Sequence, residues 1–359
     1  MTRPVHGGNL TWAAALAGCP AAAILDFSAS ISPLGPPESA KRAIESHLSD
    51  LGAYPDPDYY QLRVALSQVH TGLSPEWILP GNGAAELLTW AAFELSNLAG
   101  TYLVTPAFGD YRRALKTFDA TVLECSMDLG LEVLDLRSPF ENFPSQIPSK
   151  TGLLLNNPHN PTGLLFTLEA IAPFLEKFAL VVVDEAFMDF LPPAQQQSLV
   201  GLVAEFPNLV ILRSLTKFYS LPGLRLGYAI AHPDRIRRWQ QWRDPWPVNT
   251  LAAAAAAAVV QDSAFQQQTW DWLDLVRPQL FEGLGKLPGL QPYKGAANFL
   301  FVRSEHSVSW IQKTLLERHR ILIRDCLSFP ELGDRFFRVA IRTEADNNRL
   351  LAGLADVLK

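Results

Sequence analysis

The chain is poor in cysteine, methionine and charge. Its 359 residues include three Cys, three Met and 18% charged residues. Cys19, Cys125 and Cys326 are odd in number and far apart, and none sits in a CxxC or Cys/His spacing. That excludes a disulfide framework and a sequence-encoded zinc site, and it predicts reduced thiols and no metal. No stretch approaches the roughly 20 apolar residues a membrane helix needs, and MTRPVHGGNLTW lacks the apolar core of a signal peptide. A soluble, cytoplasmic protein is therefore expected. There is no excess of positive charge either. A net charge of -6 argues against nucleic-acid or membrane-surface partners, so an anionic ligand must be met by local arginines. No internal repeat is visible, and the seven alanines from Ala252 to Ala258 read as a tightly packed helix.

What is present is an alternation of apolar runs with helical segments. Strands are predicted over 77–80, 102–105, 121–125, 152–156, 180–184, 209–213 and 226–231, with a helix from Glu38 to about Leu48. Continuous apolar runs between helices mark a mostly parallel α/β sheet. The expected organisation is an N-terminal arm (1–37), a large α/β domain (38–235) and a smaller C-terminal α+β domain (236–359). In that last part NFLFV, RILIR and RFFRVAIR read as short strands. Five tryptophans there, at 239, 242, 246, 270 and 272, fit core and interface packing better than base stacking in so acidic a chain.

Chemistry-bearing residues cluster at the predicted strand ends. In LVILRSLTKFYSLPGLRLGY (209–228) a buried strand leads into Ser214 and Lys217, with Arg225 beyond. Ligands of open α/β sheets bind outside the carboxyl ends of strands. A lysine among apolar neighbours is biased toward its neutral, nucleophilic form, so Lys217 is a candidate for covalent attachment of a cofactor, the alternative being a lysine that merely snorkels to solvent. Gly81-Asn82-Gly83-Ala84 opens a helix and exposes backbone amides, a candidate phosphate cup without the spacing of a nicotinamide fingerprint. Phe108, Asn160 and Asp184 follow three other strands, so one crevice is expected to collect them. His6-Gly7-Gly8-Asn9 predicts a turn that brings a histidine and amides close to something, or else a frayed end. In RFFRVAIR a period of two places Arg338 and Arg342 on one face, where they are expected to fork onto a carboxylate or phosphate, or else to face water from an edge strand. Arg324, ending RILIR, is a third candidate.

The ordered series GNG, NNPHNPTG, VVVDEAF and SLTKFYSLPGLRLGY resembles the fold-type I pyridoxal phosphate enzymes of the class I/II aminotransferase family over nearly the whole chain. The resemblance implies pyridoxal 5'-phosphate as cofactor. It implies that Lys217 carries it, that Asp184 pairs with its ring nitrogen and that Asn160 donates to its ring oxygen. Phe108 would stack on the ring, and Ser214, Arg225 and the amides near Gly83 and Ala84 would hold the phosphate. Tyr54 would reach in from a second subunit of a homodimer with shared sites. His6, Gly7, Ser30, Asn160, Arg324 and Arg338 fall at substrate-contacting positions. HGGN, DFSA, RILIRDC and RFFRVAIR further resemble members that act on small phosphorylated amino acids. The expected reaction is decarboxylation of L-threonine O-3-phosphate to (R)-1-aminopropan-2-yl phosphate, with transamination of histidinol phosphate as the alternative. The chain departs from the common pattern at Phe187, where aminotransferases usually carry Tyr, at Ser30 in place of Asn, and at Ala85 in place of Thr. A serine acyl-enzyme is suggested by Ser214-x-x-Lys217 and Lys150-Thr151-Gly152, but the order is reversed and SDN is missing. A non-catalytic regulator that binds the cofactor would need an attached DNA-binding segment, which the sequence does not show.

Overall fold

The computed structural model describes residues 3–70, 72–127, 143–144 and 146–359. Its thirteen strands among these residues are β1 (Leu25–Asp26), β2 (Ile78–Gly81), β3 (Gly100–Thr105), β4 (Val122–Ser126), β5 (Thr151–Asn156), β6 (Leu180–Asp184), β7 (Leu209–Ser214), β8 (Gly227–Ala231), β9 (Leu290–Tyr293), β10 (Phe299–Ser304), β11 (Ile321–Leu322), β12 (Arg324–Asp325) and β13 (Phe336–Ala340). Seven form one sheet in the order β2-β8-β7-β6-β5-β3-β4. Pairing is parallel except where β8 lies antiparallel to β7 and β2.

The sheet is buried on both faces, as its unbroken apolar runs require. Successive residues alternate between two cores. Val181, Val183, Leu209 and Ile211 enter one, while Val182, Val210 and Leu212 enter the other with Leu87, Leu95, Ile236 and Trp239. The register Asn156↔Asp184 and Asp184↔Leu212 aligns the carboxyl ends of β5, β6 and β7 on one edge. The expected crevice lies there.

A second, four-stranded antiparallel sheet runs β12-β13-β10-β9, and β1 pairs with β11 in a short parallel ladder. RILIR is therefore not one strand. Ile321 and Leu322 follow β1, whereas Arg324 and Asp325 follow β13, so the segment stitches two sheets together. The alanine run forms the helix Thr250–Val259, capped by Asn249 Oδ1 accepting from Ala252 N at 2.8 Å. Its small side chains let it pack closely on the helix Glu38–Ser46. That helix ends two residues before the expected Leu48, which begins a 3₁₀ turn.

The amino-terminal arm is held, not frayed. Gly8 N donates to Ser28 Oγ at 2.8 Å, and Arg3 Nε reaches Asp325 at 3.1 Å. A Cβ on Gly7 would lie 2.2 Å from the Ser28 carbonyl oxygen, so only glycine fits that approach.

Candidate active site

A cavity of about 270 Å³ opens at the carboxyl ends of β6 and β7, lined by His6, Ala84, Ala85, Phe108, Asp184, Ser214, Thr216, Lys217 and Arg225 among others. Ser214 ends β7 and caps the single-turn helix Leu215–Phe218, in which Lys217 lies. The Ser214 and Thr216 hydroxyls are 2.7 Å apart. Opposite them begins the thirteen-residue helix Ala84–Ser96, whose N-cap, Gly83, offers no side chain to its amides. Those N–H groups and the positive end of the helix dipole suit an anion. Arg225, in a left-handed conformation (φ 57), brings its guanidinium over the same turn. A Cβ on Gly83 would come within 2.7 Å of Arg225 Nη2, and one on Gly227 within 2.6 Å of Ala84 N. Two glycines thus keep open a cup of amides, hydroxyls and one guanidinium.

Asp184 occupies the cavity wall at the end of β6. Its Oδ2 accepts from the Tyr111 hydroxyl at 2.7 Å and its Oδ1 from Ala186 N at 3.0 Å. Burial pushes its carboxyl above the usual range, opposed by the Lys217 charge and by these two donors, while Asp110 adds to the rise. Burial likewise lowers the Lys217 amine; Asp184 works against that, and Arg338 and Arg225 reinforce it. The Lys217 Nζ stands 5.0 Å from the centroid of the Phe187 ring. A lysine held this way is available in its neutral form at lower pH than a free one.

A second group of polar residues adjoins the first. Arg324 and Arg338 are direct partners across β12 and β13. Arg338 donates to Asn160 Oδ1 and lies over Phe299, 4.5 Å from the ring centroid. Arg324 donates to the Val5 carbonyl and, at 2.6 Å, to Ser328 Oγ. Neither guanidinium has a carboxylate partner among the described residues. Burial lowers both, Arg338 to about 10. Two like charges side by side and partly desolvated are unfavourable unless an anion joins them. His6 completes the cluster, its ring 5.4 Å from that of Phe108 and its pKa lowered chiefly by burial. Ser30 is buried with a hydroxyl that has no partner among the described residues.

Arg342 does not stand beside Arg338. It lies past the end of β13, pairs with Asp346 at 3.1 Å and donates to the Asp26 carbonyl. The strand is too short to carry the period of two that far, and the arginine facing Arg338 comes from β12 instead. Tyr54 is 77% exposed, stacked on the exposed Trp246 at 4.3 Å, and does not line the cavity of its own chain. Two residues escaped the sequence reading. Thr216 is flagged only by its spacing between Ser214 and Lys217. Tyr111 lies three residues past Phe108, in the first turn of the helix Gly109–Thr117, of which Phe108 is the N-cap.

The model for the family described as aminotransferase class I and II matches residues 22–354. A threonine-phosphate decarboxylase from Salmonella typhimurium is 41% identical over 98% of this chain and 96% of its own length. An adenosylcobalamin biosynthesis bifunctional protein from Leptospira interrogans is 28% identical over 99% of this chain, which spans 41% of that longer protein. Among solved structures, the histidinol-phosphate aminotransferase from Clostridium acetobutylicum superimposes with a TM-score of 0.85 at 29% identity, covering 93% of this chain and 99% of that one.

Proposed function

We propose, from the premise that the chain belongs to the aminotransferase class I and II family, that it is a pyridoxal 5'-phosphate enzyme of cobalamin biosynthesis. Its reaction is the decarboxylation of L-threonine O-3-phosphate to (R)-1-aminopropan-2-yl phosphate. The observation that carries the reading is the adjacent pair Arg324 and Arg338, cations without a carboxylate partner among the described residues, beside a cavity that holds Lys217 and Asp184. A substrate with both a phosphate and a carboxylate supplies the two missing anions.

The residues present fit the cofactor. The cup of Gly83, Ala84, Ser214 and Arg225 matches a phosphate, and Asp184 matches a protonated ring nitrogen. Phe108 supplies an aromatic face. Asn160 turns its carbonyl oxygen to Arg338, which leaves its amide N–H groups to donate to a ring oxygen. Phe187 offers no hydroxyl at the place where a second donor would stand, so that oxygen relies on Asn160. When bound, the cofactor supplies an electron sink for the pair left at the substrate Cα as a bond there breaks.

This chain's own residues choose the bond. Arg324, Arg338, His6, Gly7 and Ser30 grip the substrate at both ends, so the carboxylate is held where its bond to Cα breaks and carbon dioxide leaves. Lys217, which would hold the cofactor at rest, would take up the proton that the substrate's ammonium group gives up on binding and deliver it to Cα. One equivalent of carbon dioxide per threonine phosphate is expected, with no demand for 2-oxoglutarate. Formation of a keto acid without carbon dioxide would overturn the decarboxylase reading and favour the transaminase.

The exposed Tyr54 and Trp246, with Leu48, Leu51 and Tyr60 also exposed, form an apolar face that suits a second copy of the chain. In the resulting homodimer Tyr54 enters the partner's site. Sedimentation is expected to report twice the 39.7 kDa chain mass; a monomer at working concentration removes Tyr54 from this role.

A further inference from the structure

The anchor of the cavity, Asp184, has an unusual setting for a group that must stay ionised. It belongs to no ion pair with an arginine among the described residues. Three charged or titratable groups face it: Lys217 from the helix Leu215–Phe218, and Asp110 and Tyr111 from the helix Gly109–Thr117. Lys217 cannot serve as a permanent counter-charge if its amine is neutral or committed to a covalent bond. Asp110 carries the wrong sign. Tyr111 remains, together with Ala186 N, as a fixed donor.

We propose that Tyr111 is a positioning residue, whose phenol donates to Asp184 Oδ2 and so sets both the orientation and the proton affinity of the carboxylate that meets the cofactor's ring nitrogen. The inference rests on the pyridoxal phosphate reading above. Tyr111 is 2% exposed, its hydroxyl lies 2.7 Å from Oδ2, and Asp184 is the one side-chain hydrogen-bond partner it has among the described residues. With Oδ1 taken by Ala186 N, the carboxylate cannot rotate without breaking a bond. A pyridine nitrogen keeps its proton only against an ionised carboxylate, so a donor that favours the ionised form also favours the cofactor. The ring of Tyr111 meets that of Phe108 edge-on, at 5.5 Å and 85°. The residue that steadies the carboxylate is thereby packed against the residue that covers the ring.

A core tyrosine with no such role would be replaced by phenylalanine at little cost to the site, because the ring packing survives. The test is the affinity of the apoenzyme for pyridoxal 5'-phosphate, followed by absorbance as the pH is lowered. Protonation of Asp184 weakens binding, so affinity falls on the acid side. In Tyr111→Phe a donor to a charged group is lost, and the acid limb is expected to move up by about one to two pH units, with roughly tenfold weaker binding near neutrality. Replacing Tyr111 by 3,5-difluorotyrosine keeps the ring and strengthens the donor, which moves the limb down; this variant carries the test if Tyr111→Phe fails to fold. Phe108→Leu is expected to weaken binding without moving the limb. Wild-type limbs in both Tyr111 variants overturn the proposal. Failure of the wild-type protein to bind pyridoxal phosphate overturns instead the reading on which it rests.

Discussion

Lys217→Ala is expected to lose turnover by on the order of 10⁴-fold or more, together with the visible absorbance of a covalently held cofactor. The side chain does its work at the tip. Its backbone carbonyl, which accepts from Ser32 N at 3.0 Å, is untouched by the substitution, so the loop keeps its place. What disappears is the one lysine amine among the described residues that line the cavity, and a charge that favours the ionised form of Asp184. Lys217→Arg separates these two losses, because it restores a cation that cannot act as a nucleophile at accessible pH. Both variants are expected to be inactive by carbon dioxide release, while both retain the circular dichroism of the wild type. A Lys217→Ala protein with more than about a hundredth of the wild-type rate would remove Lys217 from its assigned role.

Arg213→Met is expected to have the largest effect on stability, a loss of about 3 to 5 kcal/mol in a denaturant titration. Arg213 precedes Ser214 on β7, but its side chain turns to the opposite face of the sheet. There it pairs with Glu185 at 2.9 Å and Asp189 at 2.6 Å. The Arg213 and Glu185 side chains are 2% and 0% exposed. Removing the guanidinium leaves the Glu185 carboxylate buried without its cation, with only Ser198 Oγ and Leu199 N as donors. Burial already lifts the Glu185 pKa. In the variant the folded state therefore holds a proton that the unfolded state releases, and stability falls as pH rises through the ordinary carboxylate range. The deficit is expected to narrow on acidification. Replacing Arg213 with its fully buried partner, Arg213→Met with Glu185→Met, is expected to recover part of the loss, since the buried Glu185 charge is removed while Asp189, the more exposed of the two carboxylates, stays. If the double variant is no more stable than the single one, packing and not the buried charge accounts for the effect.

Ser214 and Lys217 line the cavity, whereas Arg213 ties β7 to the turn that follows β6 and its last residue, Asp184.

The sequence alone determined what depends on local pattern: strands whose apolar runs must be buried on both faces, a glycine turn opening a helix, and reactive residues at the carboxyl ends of strands. Backbone geometry and the hydrophobic effect act over a few residues, so Phe108, Asp184, Ser214 and Lys217 were legible as one crevice. Tertiary structure decided what depends on register and on distance along the chain. Arg338 faces Arg324 and not Arg342, because pairing between β12 and β13 selects partners that no periodicity within one strand reveals. RILIR divides between two sheets for the same reason. Tyr111 and Asp184 are 73 positions apart, and only the packing of a helix against the sheet brings a phenol to that carboxylate. The sequence named candidate groups for chemistry, and the fold chose the neighbours that surround them.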